Sequence, residues 1–444
     1  MKKVFVFLFA VSTAVASLAQ EPLDTNFHRH ISLHFQATVI PQYHFDFAAP
    51  YTGANSFLPS EPVATSLTTT LFINYKAAKN TYIIFNPEAA AGKGLSKTQG
   101  IAGFPNGEVY RVGSPKFKPF IARLYIEQRF ALSKQLENVR DDENQVAETA
   151  HKDYFSVIAG KFSLTDFFDN SEISHDPRTQ FMNWSLMGSG AWDYPANTRG
   201  YTMGVVLQAV YKGFSLKYAN TAMPKTANGE NMEWKGNDAM GQVIEASVEK
   251  FHLLKKKEGR YFSLRAGFYS NHAHMGNYAL SVANGTQNNM APDIDSSREY
   301  GRAKNGYYGT LESHWGKIHH FIKHSWNDGK NETWAFTEID NSIATGFQFD
   351  GSIWKRKKDV LGIAFASNGI SNNHRQYLAN GGYGFIIGDG GLNYAHEKIV
   401  EAYYSFPLVG HITATADYQY VTNPAYNKDR GPVQLVAVRL HLSL

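Results

Sequence analysis

No cysteine occurs anywhere in the 444 residues, which excludes disulfide cross-links and attachment to a membrane through an acylated cysteine. Stability must therefore come from packed side chains or from a closed network of backbone hydrogen bonds. Long apolar runs are also missing. No segment after the N-terminal region has about eighteen consecutive apolar residues, so no transmembrane helix is available. An excess of one charge is lacking as well: 43 Lys and Arg stand against 39 Asp and Glu, a formal net charge of +4. That excess falls to about +2 once Lys2 and Lys3 are removed with a leader, too little for a nucleic-acid footprint.

What the chain does have is alternation. In residues 411–420, Ile412, Ala414, Ala416, Tyr418 and Tyr420 share one side, and His411, Thr413, Thr415, Asp417 and Gln419 share the other. Polarity that changes at every residue is the period of a β-strand with one apolar and one wet face. The last segment repeats it, with Val436, Val438, Leu440, Leu442 and Leu444 opposed by Ala437, Arg439, His441 and Ser443. About sixteen such segments are expected, among them Ile31 to Val39, Leu67 to Tyr75, Tyr201 to Ala209, Phe262 to Phe268 and Leu361 to Phe365. Turn signals such as Tyr211-Lys212-Gly213, Lys257-Glu258-Gly259, Trp315-Gly316-Lys317 and Pro407-Leu408-Val409-Gly410 separate them.

Lys2 and Lys3 precede the apolar run Val4 to Ala10, and Ser17-Leu18-Ala19 offers the small residues that signal peptidase requires. Residues 1–19 therefore read as a cleaved secretory signal, and residues 20–444 as one domain. Slightly negative mean hydropathy suits a membrane barrel, because such a strand shows lipid only every second residue. The expected fold is an all-β, closed antiparallel transmembrane barrel, with tight turns on the periplasmic side and long loops outside, as at Ser270 to Gly306 and Ser367 to Ala395. A secreted sandwich or propeller would also alternate, but alternation that persists to Leu444 favours the barrel. Residues 86–118 and 163–200 break the pattern and carry Gly, Pro, Asn, aromatics and charges. Loops of that kind are expected to fold into the lumen and narrow it.

Several strings resemble a known family. They are TQGIAGFPNGEVYRVG at 98–113, SHDPRTQFMNWSLMGSGAWDYPANTRGYTMG at 174–204, LGIAFASNGIS at 361–371 and HRQYLANGGYGFIIGDGGLNYAHEKIVEAYYSFPL at 374–408. In this order they resemble the carbohydrate-selective porins of the OprB type, from the outer membrane of Gram-negative bacteria. The resemblance implies a sixteen-stranded barrel that lets monosaccharides or other small sugars diffuse to the periplasm. It also implies outer-membrane lipid and lipopolysaccharide around the barrel and the barrel-assembly machinery as partners, and leaves open a monomer or a homotrimer.

A sugar-selective pore needs hydrogen-bond donors and acceptors at a narrow point, with aromatic faces for the apolar side of the ring. Along Phe120 to Phe130, the wet series is Arg123, Tyr125, Glu127 and Arg129, which must face the lumen. It forms either a constriction wall or an ion-pair ladder. Asp176-Pro177-Arg178 and Trp192-Asp193-Tyr194-Pro195 with Arg199 are expected to line the pore. The alternatives are that Asp176 and Arg178 pin the loop to the wall and that Trp192 is buried packing. Glu108 and Arg111 form a further candidate pair, unless they belong to a solvated turn after Pro105-Asn106-Gly107.

Other motifs dissolve. Gly92-Lys93-Gly94 lacks the Ser or Thr of a phosphate-binding loop, and Lys255-Lys256-Lys257 reads as a solvated corner. His272, His274, His319, His320 and His324 have no carboxylate at ligand spacing, so neither a metal nor a cofactor is expected. Two rival readings remain. One is a porin for phosphate or acidic sugars. The other is a barrel hydrolase built on Ser174-His175-Asp176, whose sequence adjacency is the wrong geometry for a nucleophile and its base.

Overall fold

A computed structural model describes residues 30–109, 115–252 and 259–444. The leader, Arg111 and the Lys255–Lys257 corner lie outside the described residues. The strands are β1 (Ile31–His44), β2 (Ala64–Ala78), β3 (Thr81–Gly92), β4 (Lys118–Ala131), β5 (Leu136–Val139), β6 (Glu148–His151) and β7 (Tyr154–Phe162). They continue with β8 (Thr202–Tyr211), β9 (Phe214–Thr221), β10 (Met223–Pro224), β11 (Met232–Glu233), β12 (Met240–Phe251), β13 (Arg260–Met275) and β14 (Glu299–Trp315). The last are β15 (Ile318–Asn327), β16 (Asn341–Asp350), β17 (Val360–Gly369), β18 (Glu397–Val409), β19 (Ile412–Thr422) and β20 (Val433–Ser443). Sixteen of them close into one antiparallel barrel, while β5–β6 and β10–β11 are separate hairpins. Closure runs through β1 and β20, where Gln36 lies opposite Ser443 and His44 opposite Leu435. Closure leaves the barrel without an open edge, the condition for a sheet to cross lipid.

Period-two sequence becomes two environments. On β4, Leu124, Ile126 and Phe130 are about half exposed on the outside, while the Arg123, Tyr125, Glu127 and Arg129 side chains turn inward. On β20, Val438 is 49% exposed and Arg439 is fully buried inside. Asp417 and Gln419 of β19 are likewise interior. The exterior is thus an apolar belt and the charges face the lumen, so two stacked sheets around a dry core are excluded.

The start of β1, the end of β20 and the two-residue turns at Lys79–Asn80 and Lys212–Gly213 share one end of the barrel, and the long connections other than 132–153 share the other. By the usual asymmetry of such barrels, the first end is periplasmic. Strand boundaries differ from expectation. β3 runs through Pro87 to Gly92, so the first insert is 93–117 rather than 86–118; Pro87, which has no N–H to donate, sits where the β3–β4 register shifts. The loops read as Ser270 to Gly306 and Ser367 to Ala395 differ at their bounds, because β13 and β14 extend into the first and β17 into the second, whereas β18 begins only at Glu397. Helices not anticipated from sequence are α1 (Trp184–Met187), α2 (Tyr278–Asn288) and α3 (Asn372–Ala379). Asn277 and Ser371 cap α2 and α3 by accepting from Leu280 N and His374 N. The two helices meet through Tyr278 and Tyr377, with ring centres 5.1 Å apart.

The described residues of the insert 93–117, and the insert 163–201, fold into the lumen. Gly103 shows how tightly: a Cβ there would lie 2.4 Å from Ser185 Oγ and 2.5 Å from Ile399 Cδ1. One long segment, 132–153 with the β5–β6 hairpin, departs from expectation by standing at the short-turn end.

Placing a charge on the belt tests this assignment of faces. Leu124→Arg is expected to destabilise the barrel by about 2–4 kcal/mol, the cost of Arg on the lipid side near midplane, when unfolding is titrated with urea in lipid vesicles. Leu124→Val serves as the control, expected to stay close to the parent.

Candidate functional site

Strand periodicity brings the first partners together. On β3 the inward series Tyr82, Ile84, Asn86 and Glu88 ends in a carboxylate, and on β2 the inward hydroxyls include Thr68 and Thr70. Glu88 accepts from Thr70 Oγ1 at 2.8 Å and from the Tyr201 hydroxyl at 3.1 Å. The second insert supplies the cation. Arg178 Nε donates to Glu108 at 2.6 Å, Nη2 to Glu88 at 3.2 Å and Nη1 to Thr70 at 3.2 Å. Thr68 also donates to Glu108. Next to this cluster, Arg123 grips Asp166 through two parallel bonds of 2.7 and 2.6 Å, the fork geometry that fixes both side chains. Arg199 lies over the Phe120 ring at 4.4 Å.

These groups line a single cavity of about 720 Å³ together with Gln36, Asp176, Glu143, Asn144, His441 and Ser443. Its other face is aromatic. Phe104 stacks on Trp184 at 5.0 Å, Trp184 on Tyr194 at 5.9 Å, and Phe336 sits 5.0 Å from Tyr194. The Trp184 indole N–H, buried in this wall, has no partner among the described residues. The site therefore sets charged donors and acceptors opposite flat apolar faces.

Wall charges hold the inserts in place. Glu401 accepts from Met182 N and Asn183 N at 2.6 and 2.9 Å, and Glu397 from Ala102 N and Gly103 N at 2.9 and 2.7 Å. Arg439 donates to the Pro177 and Gln180 carbonyls, and Lys323 to that of Ser174. Each clamp satisfies peptide groups that have no sheet partner, and an unmet buried peptide group costs about 1–3 kcal/mol.

Burial raises the pKa of Glu108, outweighing the pull of Arg178, and the Glu88 charge adds to the rise. Burial acts in the same sense on Asp176, but the Arg178 guanidinium and the Thr179 hydroxyl prevail and hold it below its usual value.

The structure brings Glu108, Arg123, Tyr125, Asp176, Arg178 and Arg199 to one cavity. Glu127 and Arg129 stand apart from it. They pair with each other at 2.8 and 3.0 Å, and Arg129 lies over Tyr82 and Tyr154, which makes them the ion-pair ladder on the barrel wall. Trp192 is packing: its ring lies 4.9 Å from Tyr308 and 5.2 Å from Tyr194, behind the aromatic wall. Asp193, fully buried, accepts from Trp334 N at 2.9 Å and Phe336 N at 2.7 Å, so it sets the position of Phe336 without reaching the cavity. Glu88, Asp166, Tyr201, Trp184 and Phe336 were not expected from sequence. Period-two reading carried past Pro87 would have found Glu88; the others meet the cavity only through loop folding. Ser174 Oγ donates to the Leu186 carbonyl rather than to an imidazole, so the Ser174-His175-Asp176 trio is no nucleophile–base pair.

A closed barrel with an apolar belt outside and loops that constrict a polar lumen is a diffusion channel of the porin class. The chain belongs to the family described as carbohydrate-selective porin, OprB family, whose model matches residues 69–444. It is a sugar-selective channel of the outer membrane, and family and fold point to a channel rather than an enzyme. Its fold is similar to OprB of Pseudomonas putida in the high-pH structure, with TM-score 0.68 and 14% identity over 94% of this chain and 95% of that one. The low-pH structure of the same protein gives TM-score 0.51 and 11% identity, covering 94% of each chain. No curated protein sequence matches the chain.

Acidification offers a direct reading of Glu108. As pH falls below 7, Glu108 takes its proton before an ordinary glutamate would, and the lining loses a negative charge. The reversal potential across a KCl gradient is expected to move toward anions. Glu108→Gln should show that displacement already at pH 7 and respond less to further acid.

Proposed function

We propose that monosaccharides and other small neutral sugars pass this channel by lying between the Arg178 cluster and the aromatic wall. Arg178, Arg123 and Arg199 donate to sugar hydroxyls, Glu88, Glu108 and Asp176 accept from them, and Trp184 and Phe336 contact the apolar ring face. The observation that carries this reading is the pairing of opposite charges and stacked rings around one cavity, whose size falls within the usual range for small-molecule pockets. A neutral polyhydroxyl solute needs both kinds of hydrogen-bond partner and gains little from net charge. Aromatic faces add contact area that is indifferent to which sugar is bound.

Charge also argues against phosphate or acidic sugars. Among the described lining residues, three arginines stand against Glu88, Glu108, Glu143, Asp166 and Asp176. A path for anions needs the opposite balance. Hydrolysis draws no support from Ser174-His175-Asp176, whose Ser174 Oγ donates to the Leu186 carbonyl rather than to an imidazole. The same reading has residues 1–19 removed on export, the barrel-assembly machinery inserting the chain, and lipid and lipopolysaccharide lying against the apolar belt.

Conductance in a planar bilayer is the test. Ion current should fall as glucose is added, and Arg178→Ala should raise the sugar concentration for half-block about tenfold, equivalent to ~1.4 kcal/mol. A channel whose current ignores neutral sugars but is blocked by phosphate or gluconate would overturn the proposal.

A further inference from the structure

Junctions at the periplasmic end are short, yet residues 132–153 form a hairpin there whose strands β5 and β6 pair Leu136 with His151 and Val139 with Glu148. Its base is clasped. Ser133 Oγ donates to Asp153 at 2.6 Å, and Lys212 N, from the next turn, donates to the same carboxylate at 2.8 Å. Its tip is closed by reciprocal backbone bonds between Asp142 and Gln145 of 3.0 and 2.9 Å.

The tip does not hang free below the barrel. Ser32 Oγ donates to the Asp142 carbonyl at 3.1 Å, and Asn74 Nδ2 to the Asn144 carbonyl at 2.7 Å. Lys76 pairs with Glu148 at 2.5 Å, and Tyr82 donates to that carboxylate. Every one of these partners is on the inner wall of β1, β2 or β3, so the hairpin is held against the wall beneath the Arg178 cluster. Val146 is buried in the process. Glu143 and Asn144 consequently line the same cavity as Asp176 and Arg178.

We propose that this hairpin is a second constriction at the periplasmic mouth, in which Glu143 and Asn144 offer sugar hydroxyls a second set of partners and Glu143 turns anionic solutes away. The inference rests on the channel reading above. A solute that leaves the upper cluster downward must pass the tip, which is tied by backbone carbonyls and so keeps its place while its side chains stay available. A carboxylate on a narrow exit raises the local cation concentration and repels anions. Sugar specificity would then be set twice, once by loops entering from outside and once by a turn entering from below.

Two variants test it, each first shown to be folded by heat-modifiable gel mobility. Glu143→Gln leaves every wall contact of the hairpin intact. It is expected to shift the reversal potential in a KCl gradient toward anions and to raise gluconate entry into liposomes about threefold relative to glucose. Replacing residues 135–152 by an Asn-Gly turn is expected to raise single-channel conductance about twofold, as removal of an obstruction in series should. A folded shortened barrel of parental conductance overturns the proposal, and so does an unmoved reversal potential in Glu143→Gln. Should the shortened chain not fold, the point variant decides alone. Glucose block of the parent channel is read separately, so a channel that ignores sugar while the hairpin variants respond would sink the sugar reading and leave the second constriction standing.

Discussion

A loop that enters a barrel carries its peptide groups into a space with no neighbouring strand, and everything distinctive in this protein depends on how those groups are met. Wall carboxylates meet several of them. Glu397 and Glu401 each receive two loop amides, Glu245 receives Asp169 N at 2.7 Å, and Glu312 receives Glu172 N at 2.9 Å. Cations on the same wall take the carbonyls, Lys217 that of Phe167 and Arg439 those of Pro177 and Gln180. An ionised acceptor forms stronger bonds to N–H than a neutral one, and a charge enclosed by donors is spared much of its desolvation cost. The inserts are therefore anchored to the wall at 102–103, 169–172 and 177–183.

These clamps are unevenly placed. They stand on β9, β12, β14, β15, β18 and β20, so the inserts are drawn against that side of the barrel. The strand residues that line the cavity come from β1 to β4, such as Gln36, Thr68, Glu88 and Arg123, and from β20, which carries both the clamp Arg439 and the lining residue His441. The passage is thus eccentric, with the barrel wall on one side and the inserts on the other. Charges on the clamping side are consumed in holding loop backbone, whereas Glu88 and Arg123 on the open side pair with the insert side chains Arg178 and Asp166 and remain beside the cavity. This division explains why Asp193 and Arg178, nearby in one insert, have different duties: one faces amides and the other faces the cavity.

Which residues face inward was legible because strand geometry admits only two choices. Arg123, Glu127, Asp417 and Arg439 all lie inside, as charge opposite an apolar belt requires. Legibility failed where a second structure decided among inward residues. Arg123 and Glu127 are alike by pattern, but Asp166 is delivered beside Arg123, while Glu127 meets only Arg129. Trp192 and Trp184 are equally aromatic members of the same insert, yet one packs behind the other's wall. Glu88 was hidden by Pro87, a breaker in most strands that is tolerated here at a bulge. The β5–β6 hairpin was missed because its strands are only four residues each, too short for alternation to register.

By itself, the sequence determined which residues of each strand share an apolar face and which a polar one, since a two-residue period admits only two sides. Sequence strings also sufficed to mark the family. Only the tertiary structure decided which charges were used up as clamps and which remained beside the passage. The reason is that side-chain period is a property of one strand, whereas a partner for Arg178 or Glu397 comes from backbone tens or hundreds of residues away, brought there by the folding of the inserts.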